Sequence, residues 1–301
     1  MIASIAAGVR EIYCVHNMDS QTKHQMTYGQ LFVVATPIGN LADFTYRAVE
    51  TLKSAHVIAA EDTRNSRKLL QHYGINTPMM AVHEHNESAM IDTSLRRLKC
   101  GEDVALISDA GTPLISDPGY RLVRGLSAEG IRIVPIPGCS SILTSLCAAG
   151  LPTDHFRFAG FLPRSGKART AELQRVTGSD ETVVLLESPR RLLATLRDIR
   201  DVMQADRELV VARELTKMHE EFVRGTSAVL IAHFEQHQPR GEIVLLVGPA
   251  SEDAVELTDQ QIIECLATDA MQSLPPSARA KAVGHALGIN KSRVYALLKN
   301  H

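Results

Sequence analysis

The chain has 301 residues, enough for about two domains with a sizeable core. Its 45% hydrophobic and 22% charged content is that of a soluble globular protein. The 32 basic and 34 acidic side chains give a formal charge of −2, which weighs against a polyanion partner held by bulk electrostatics, and 4% aromatics without Trp weighs against a base-stacking sheet. Five scattered cysteines with no C-x-x-C fit a reduced, cytoplasmic compartment and give neither a zinc knuckle nor a disulfide framework.

Residues 1–29 read as a disordered extension. The apolar MIASIAAGV has no basic segment before it, and Arg10-Glu11 end it too early for a secretory signal. Over 30–150, β-branched runs at 31–35, 56–60, 79–82, 104–108 and 131–136 alternate with amphipathic stretches at 45–54, 66–72, 87–99, 119–129 and 140–149. That alternation predicts a parallel sheet with helices on both faces. Ile133 to Thr153 is uncharged, but Pro135, Pro137 and Pro152 make it strand, turn and buried helix rather than a membrane span.

A second α/β domain is expected over 151–249, with strands at 156–161, 182–187, 208–213, 220–225 and 242–248 and helices near 168–177, 189–203 and 227–235. Hairpin-like neighbours predict a mixed sheet there, with a hinge near residue 150. Residues 250–301 are helical at 258–268, 277–287 and 291–299; the last two flank Gly288-Ile289-Asn290 in the form of a helix-turn-helix. Within this tail, 251–270 carry six acidic and no basic side chains, whereas 271–301 carry Arg279, Lys281, Lys291, Arg293 and Lys299 with no acid. The near-neutral total therefore hides a basic end.

Small-residue turns recur at strand ends, where open α/β sheets bind ligands. They are Thr36-Pro37-Ile38-Gly39-Asn40, then Ser108 to Gly119 (SDAGTPLISDPG), then Ile136 to Ser141 (IPGCSS). Gly and Pro turns bring backbone groups close to a ligand, and three of them point to one cleft. Glu61-Asp62-Thr63-Arg64 projects from the same sheet edge, with Asp62 or Thr63 able to cap the following helix. His83-Glu84-His85-Asn86 follows the third strand but lacks a third ligand, so no metal is expected. GFLPRSGKA (160–168) only imitates a Walker loop: five residues separate its glycines and Ala168 has no hydroxyl for Mg²⁺.

Taken together, VATPIGNLAD (34–43), EDTR, HEHN, SDAGTPLISDPG, IPGCSS, GFLPRSGKAR (160–169), ESPRR (187–191), ARELTKMHEEFVRG (212–225) and GEIVLLVG (241–248) closely resemble the RNA-directed branch of the tetrapyrrole methylase superfamily. The resemblance covers about 30–300. It implies two α/β domains with S-adenosyl-L-methionine in the cleft between them, a small all-α tail, a homodimer, and methylation of a cytidine ribose 2′-oxygen in the decoding region of 16S rRNA in the small ribosomal subunit. Carried over by position, Asp109, Ala110, Gly111, Thr112, Pro113 and Ile115 with Pro137, Ser140 and Ser141 hold the methionine and ribose parts. Leu186, Glu187 and Ser188, with the Arg213-Glu214-Leu215 turn and Gly241, meet the adenosine. Pro37 and Gly39 of the first turn serve RNA and dimer geometry as much as cofactor.

Methyl transfer to a hydroxyl needs in-line placement and a route for the proton. Asp62 and Glu61 are the candidate bases, with Arg64 to orient a carboxylate or grip phosphate and His85 next; the residues alone do not rank them. RNA contacts are expected from Arg67, Lys68, Arg164, Lys167, Arg169, Arg190 and Arg191, with Lys291 and Arg293 on the tail. A small-molecule tetrapyrrole methylase and a ligand-sensing DNA regulator are the competing classes. The basic 160–169 loop argues against the first, and EDTR and HEHN beside the cleft argue against the second.

Overall fold

The computed structural model describes residues 28–83, 86–203, 207–250, 259–267, 274–287 and 291–300. Among the described residues, those up to Pro249 form one compact unit and those from Ala250 a second. The extension before Tyr28 and the Gly288-Ile289-Asn290 turn lie outside the described residues.

The first half runs β1 (Leu31–Val34), α1 (Tyr46–Ser54), β2 (Val57–Ala60), α2 (Thr63–His72), β3 (Met79–Ala81), α3 (Glu87–Lys99), β4 (Val104–Ile107), α4 (Tyr120–Ala128), β5 (Ile133–Ile136) and α5 (Ser141–Ala149). Its strands pair in parallel in the order β3-β2-β4-β1-β5. Every residue of β2 and β4 is buried, as central parallel strands covered on both faces require. Leu52, Ile58, Leu70 and Ile107 fill one side of the sheet, and Leu31, Leu98, Leu106, Leu122 and Leu126 fill the other. α2 starts three residues before its apolar periodicity does, because the Asp62 carboxylate caps it by accepting from the Arg64 amide at 2.8 Å.

The second half contains β6 (Phe156–Phe161), α6 (Gly166–Thr177), β7 (Thr182–Glu187), α7 (Pro189–Val202), β8 (Leu209–Arg213), β9 (Glu221–Gly225), α8 (Ser227–Gln236) and β10 (Ile243–Val247). The strand order is β6-β7-β10-β8-β9, with only β6 and β7 parallel, so this sheet is mixed.

One hydrophobic cluster belongs to both halves. Ile38, Leu146, Ala149 and Leu151 pack with Val184, Val210, Ala212, Val244 and Leu246 of the second sheet. At the hinge expected near residue 150, Ala149 and Leu151 are thus buried in a shared core. This cluster fixes the distance between the two sets of strand ends that form the site.

The second unit holds α9 (Asp259–Leu266), α10 (Pro276–Leu287) and α11 (Lys291–Asn300) around Ile262, Leu266, Ala280, Val283 and Val294. Arg279, one of the five tail cations, donates Nη2 to the Leu266 carbonyl at 3.0 Å, which turns one end of its guanidinium into the tail. Lys291 and Arg293 fall on α11, with side chains outside the described residues.

Candidate active site

The turns after β1, β4 and β5 are bonded into one wall. Thr36 and Gly111 exchange backbone hydrogen bonds of 2.9 and 3.0 Å. The Thr36 hydroxyl donates to the Ser108 carbonyl at 3.3 Å, and the Thr112 hydroxyl to the Cys139 carbonyl at 3.1 Å. Facing this wall are the ends of β6, β7 and β10, and between them lies a cavity of about 450 Å³. Four non-glycine residues among those described have left-handed backbones: Leu114, Ser116, Glu214 and Thr216. All four lie in the two loops flanking this cavity. Such conformations cost on the order of 1–3 kcal/mol each and persist where the surroundings over-determine them.

Of the residues expected from the sequence, Glu61, Asp109, Ala110, Gly111, Thr112, Ile115, Ser140, Ser141, Leu186, Glu187, Ser188 and Gly241 line the cavity. Pro37, Gly39, Pro113, Pro137, Arg213 and Glu214 do not. Gly39 is pressed against the loop that follows β8: a Cβ there would meet Lys217 Cγ at 2.5 Å, and the neighbouring Asn40 amide donates to Thr216 Oγ1 at 3.1 Å. Arg213 is taken up by Glu221 at 2.9 Å. Glu214 accepts from Lys217 Nζ at 2.8 Å and from the Glu242 amide at 3.1 Å, so it shapes the 241–242 turn that forms the cavity edge. From that loop it is Leu215 that reaches the wall.

The carboxylates fall into two kinds. Asp62 is committed: it caps α2 and bonds the Arg64 guanidinium at 3.0 and 3.2 Å, and these contacts hold its pKa below the usual value. Glu61 lines the cavity, and burial, followed by the charges of Asp117 and Asp109, pushes its pKa up. Asp117 is likewise raised, first by burial, with Asp109 adding and a Ser108 hydrogen bond opposing. Asp109 itself pins the EDTR turn, accepting from the Asp62 amide at 3.2 Å and from Asn65 Nδ2 at 2.9 Å. Glu187 is satisfied internally by the Ser188 amide and the Thr195 hydroxyl. His85 and Glu84 lie outside the described residues.

The basic residues also divide. Arg67, Lys68, Arg164, Lys167 and Arg190 are exposed and have no carboxylate within ion-pair distance among the described residues. They stand on the segments that lead out from lining residues Glu61, Phe161 and Pro189. Arg169 and Arg191, expected to meet RNA, are used inside the protein. Arg169 binds Asp198 at 2.6 Å, Thr195 and the Pro163 carbonyl; Arg191 reaches Glu187 and the Leu162 carbonyl. Their planar guanidinium groups fit two or three acceptors at once, which suits bracing α7.

The sequence motifs do not single out Ile38, Ser116, Asp117, Ile142, Phe158, Phe161, Glu242 and Val244, all in the wall, whereas Leu215 is the expected residue of the 213–215 turn that does line it. Asp117 was recoverable, being a carboxylate between two Gly/Pro turns of a motif already singled out. The apolar members looked like ordinary core.

Residues 30–231 match the family model described as Tetrapyrrole (Corrin/Porphyrin) Methylases. The chain is 42% identical over 270 residues to the ribosomal RNA small subunit methyltransferase I of Synechocystis sp., covering 89% of this chain and 97% of the relative. It is 44% identical over 277 residues to the protein of the same name from Pseudomonas aeruginosa, covering 90% and 96%. Among solved structures, a cobalt precorrin-4 methyltransferase of cobalamin biosynthesis superposes with a TM-score of 0.57 at 18% identity, covering 76% of this chain and 98% of that one, which is a likeness of fold.

Proposed function

Since the chain belongs to the tetrapyrrole methylase family and, within it, to the ribosomal RNA small subunit methyltransferases I, we propose that it methylates 16S rRNA at a decoding-region cytidine 2′-oxygen, with S-adenosyl-L-methionine as donor. The observation that carries this reading is the identity over nine-tenths of the chain. The unpaired cations on segments leading out of the cavity support a polyanionic substrate.

The cavity suits the donor. Its volume lies in the range of about 300–1,000 Å³ typical of small-ligand sites. Ile38, Ile142, Leu215 and Val244 give it apolar walls, and Glu61, Asp109 and Asp117 give it the negative character that complements a cationic ligand. When bound, S-adenosyl-L-methionine supplies an electrophilic methyl group. Asp109 to Thr112, with Ser140 and Ser141, hold its amino-acid and ribose parts, and Leu186 to Ser188 and Gly241 border its adenosine.

Glu61 receives the proton of the attacking 2′-hydroxyl. Its raised affinity for protons makes it a stronger base than Asp62, whose carboxylate is saturated by Arg64 and the α2 terminus. Asp62 instead holds Arg64 outward, where its exposed guanidinium meets a phosphate together with Arg67 and Lys68.

The reading includes a homodimer in the cytoplasm. Leu41, Tyr46, Leu143 and Met218 are exposed apolar side chains on segments that touch one another: Asn40 bonds Thr216, and Cys139 bonds the Asp43 carbonyl. Apolar patches of this kind mark association surfaces.

The test is transfer of labelled methyl from S-adenosyl-L-methionine to purified small subunits, naked rRNA and DNA, with mapping of linkages resistant to alkaline cleavage. A single resistant cytidine in subunit rRNA is expected. Label on bases or protein, or transfer to a porphyrin-type compound instead, overturns the assignment.

A further inference from the structure

β6 breaks the alternation of a regular strand. Its ladder with β7 pairs Phe158 with Val184, then Gly160 with Leu185 and Phe161 with Leu186, leaving Ala159 as an extra residue. Side chains alternate faces along a strand, so Phe158 and Phe161, three apart, would otherwise point to opposite sides of the sheet. The bulge, at which Gly160 adopts φ +65°, brings both onto the cavity wall. Bulges beside functional sites act in this way, re-aiming a side chain.

The two rings differ in burial. Phe158 packs with Leu186 into the core shared by the two halves. Phe161 is outside that core and 55% exposed while still lining the cavity, and so is Ile115, at 46%, between left-handed Leu114 and Ser116. A large ring held at a cavity edge by a dedicated backbone irregularity contributes little to folding. Three residues beyond it stands Arg164, followed by Lys167, both exposed and unpaired.

We propose that Phe161 receives the nucleobase of the target nucleotide on its face, with Ile115 as a second apolar contact, so that the enzyme reads this nucleotide out of its stack. The inference rests on the ribose-methylation reading above. With the donor in the cavity, the target nucleotide meets it at the mouth, where Phe161 and Ile115 stand exposed and which is too narrow for a base-paired stem. A 2′-oxygen that enters it brings its nucleotide out of the helix, and an unstacked base is held by an aromatic face, as in single-stranded RNA recognition generally. Arg164 and Lys167 then meet the adjoining phosphates.

The experiment uses the full chain with small subunits and compares Phe161→Ala, Phe161→Leu and Phe161→Tyr. Loss of one base–aromatic stack is expected to raise the KM for subunits about 5- to 100-fold in the Ala and Leu variants. The affinity for S-adenosylhomocysteine, measured by calorimetry, stays within twofold, and Tyr restores the KM. Three results overturn the proposal: an unchanged KM in Phe161→Ala, Leu performing as well as Tyr, or a parallel loss of S-adenosylhomocysteine affinity, which would give the ring to the cofactor's adenine. If the wild-type protein itself produces no 2′-O-methylated small-subunit rRNA, the underlying reading fails irrespective of Phe161.

Discussion

Glu87 is the first residue of α3, yet its buried carboxylate serves a different helix. It accepts from the amides of Gly119 at 2.9 Å and Arg121 at 3.0 Å, the free N–H groups that open α4. Gly119 stands at the N-cap position of α4 and has no side chain to cap with, so Glu87 supplies the missing acceptor and anchors the far end of the 108–119 loop. In Glu87→Ala the Arg121 amide, on an exposed residue, regains water, whereas the buried Gly119 amide is left unpaired. An orphaned buried donor costs about 1–3 kcal/mol, and hydrogen bonds to a charged acceptor are each worth about 1.5–3 kcal/mol, so the expected loss of stability is about 2–4 kcal/mol. Glu87→Gln keeps one acceptor oxygen but turns an NH₂ toward the second amide, for about half that loss. Urea unfolding reads the change as a lower midpoint at unchanged m. Calorimetry should show S-adenosylhomocysteine binding weakened about tenfold, because the loosened loop carries Asp109 to Asp117. A loss below about 1 kcal/mol in Glu87→Ala would refute the capping argument.

Glu61→Gln should cut turnover by about 10²- to 10⁴-fold while raising the melting temperature, since it removes a carboxylate crowded by Asp109 and Asp117. Folding raises the pKa of Glu61 and Asp117, so the native state binds more protons than the unfolded chain just above the ordinary carboxylate range. Stability therefore falls as pH rises through that window; Glu61→Gln flattens this slope in pH-dependent melts, and activity is lost as pH drops through it. Gly241→Ala places a Cβ 2.0 Å from Glu214 Oε1 at φ +80°, and should cost about 1–2 kcal/mol for the backbone alone, seen in denaturant melts, with weaker S-adenosylhomocysteine binding. Tyr46→Arg, at a side chain 94% exposed, should convert a dimer to a monomer in light scattering without lowering the melting temperature of the monomer fold. Removing Arg164 and Arg190 together should flatten the dependence of log K on log salt for rRNA by about 1.4, a value near zero being incompatible with phosphate contacts.

Periodicity located the sheets closely because burial on one or both faces dictates residue type. β6 and β7 occupy the spans their apolar runs predict, and the remaining strands lose only a residue or two at their ends. The site was legible as motifs but not as directions. The string EDTR shows two acids; it does not show that Asp62 faces its own helix end while Glu61 faces the cavity. ESPRR and GFLPRSGKAR show four arginines and a lysine beyond the strands, but Arg169 and Arg191 find acceptors only once α6, α7 and Asp198 come together. Phe161 was hidden for a further reason: a regular strand would send it to the opposite face, and the bulge that prevents this is set by pairing with β7.

The hydrophobic cluster shared by α5 and the second sheet has a kinetic consequence. Swinging the halves apart would strip Leu146, Leu151, Val184 and Leu246 of their partners. At about 1.5–3 kcal/mol for each fully buried side chain, even partial exposure of these four costs on the order of 5 kcal/mol, so a wide-open form is rarer than about one molecule in a thousand. Reactants must then use the mouth of the slot. With rRNA lying across that mouth, the expected order is donor first and spent donor last, which product-inhibition kinetics would show as S-adenosylhomocysteine competing with S-adenosyl-L-methionine but not with the subunit.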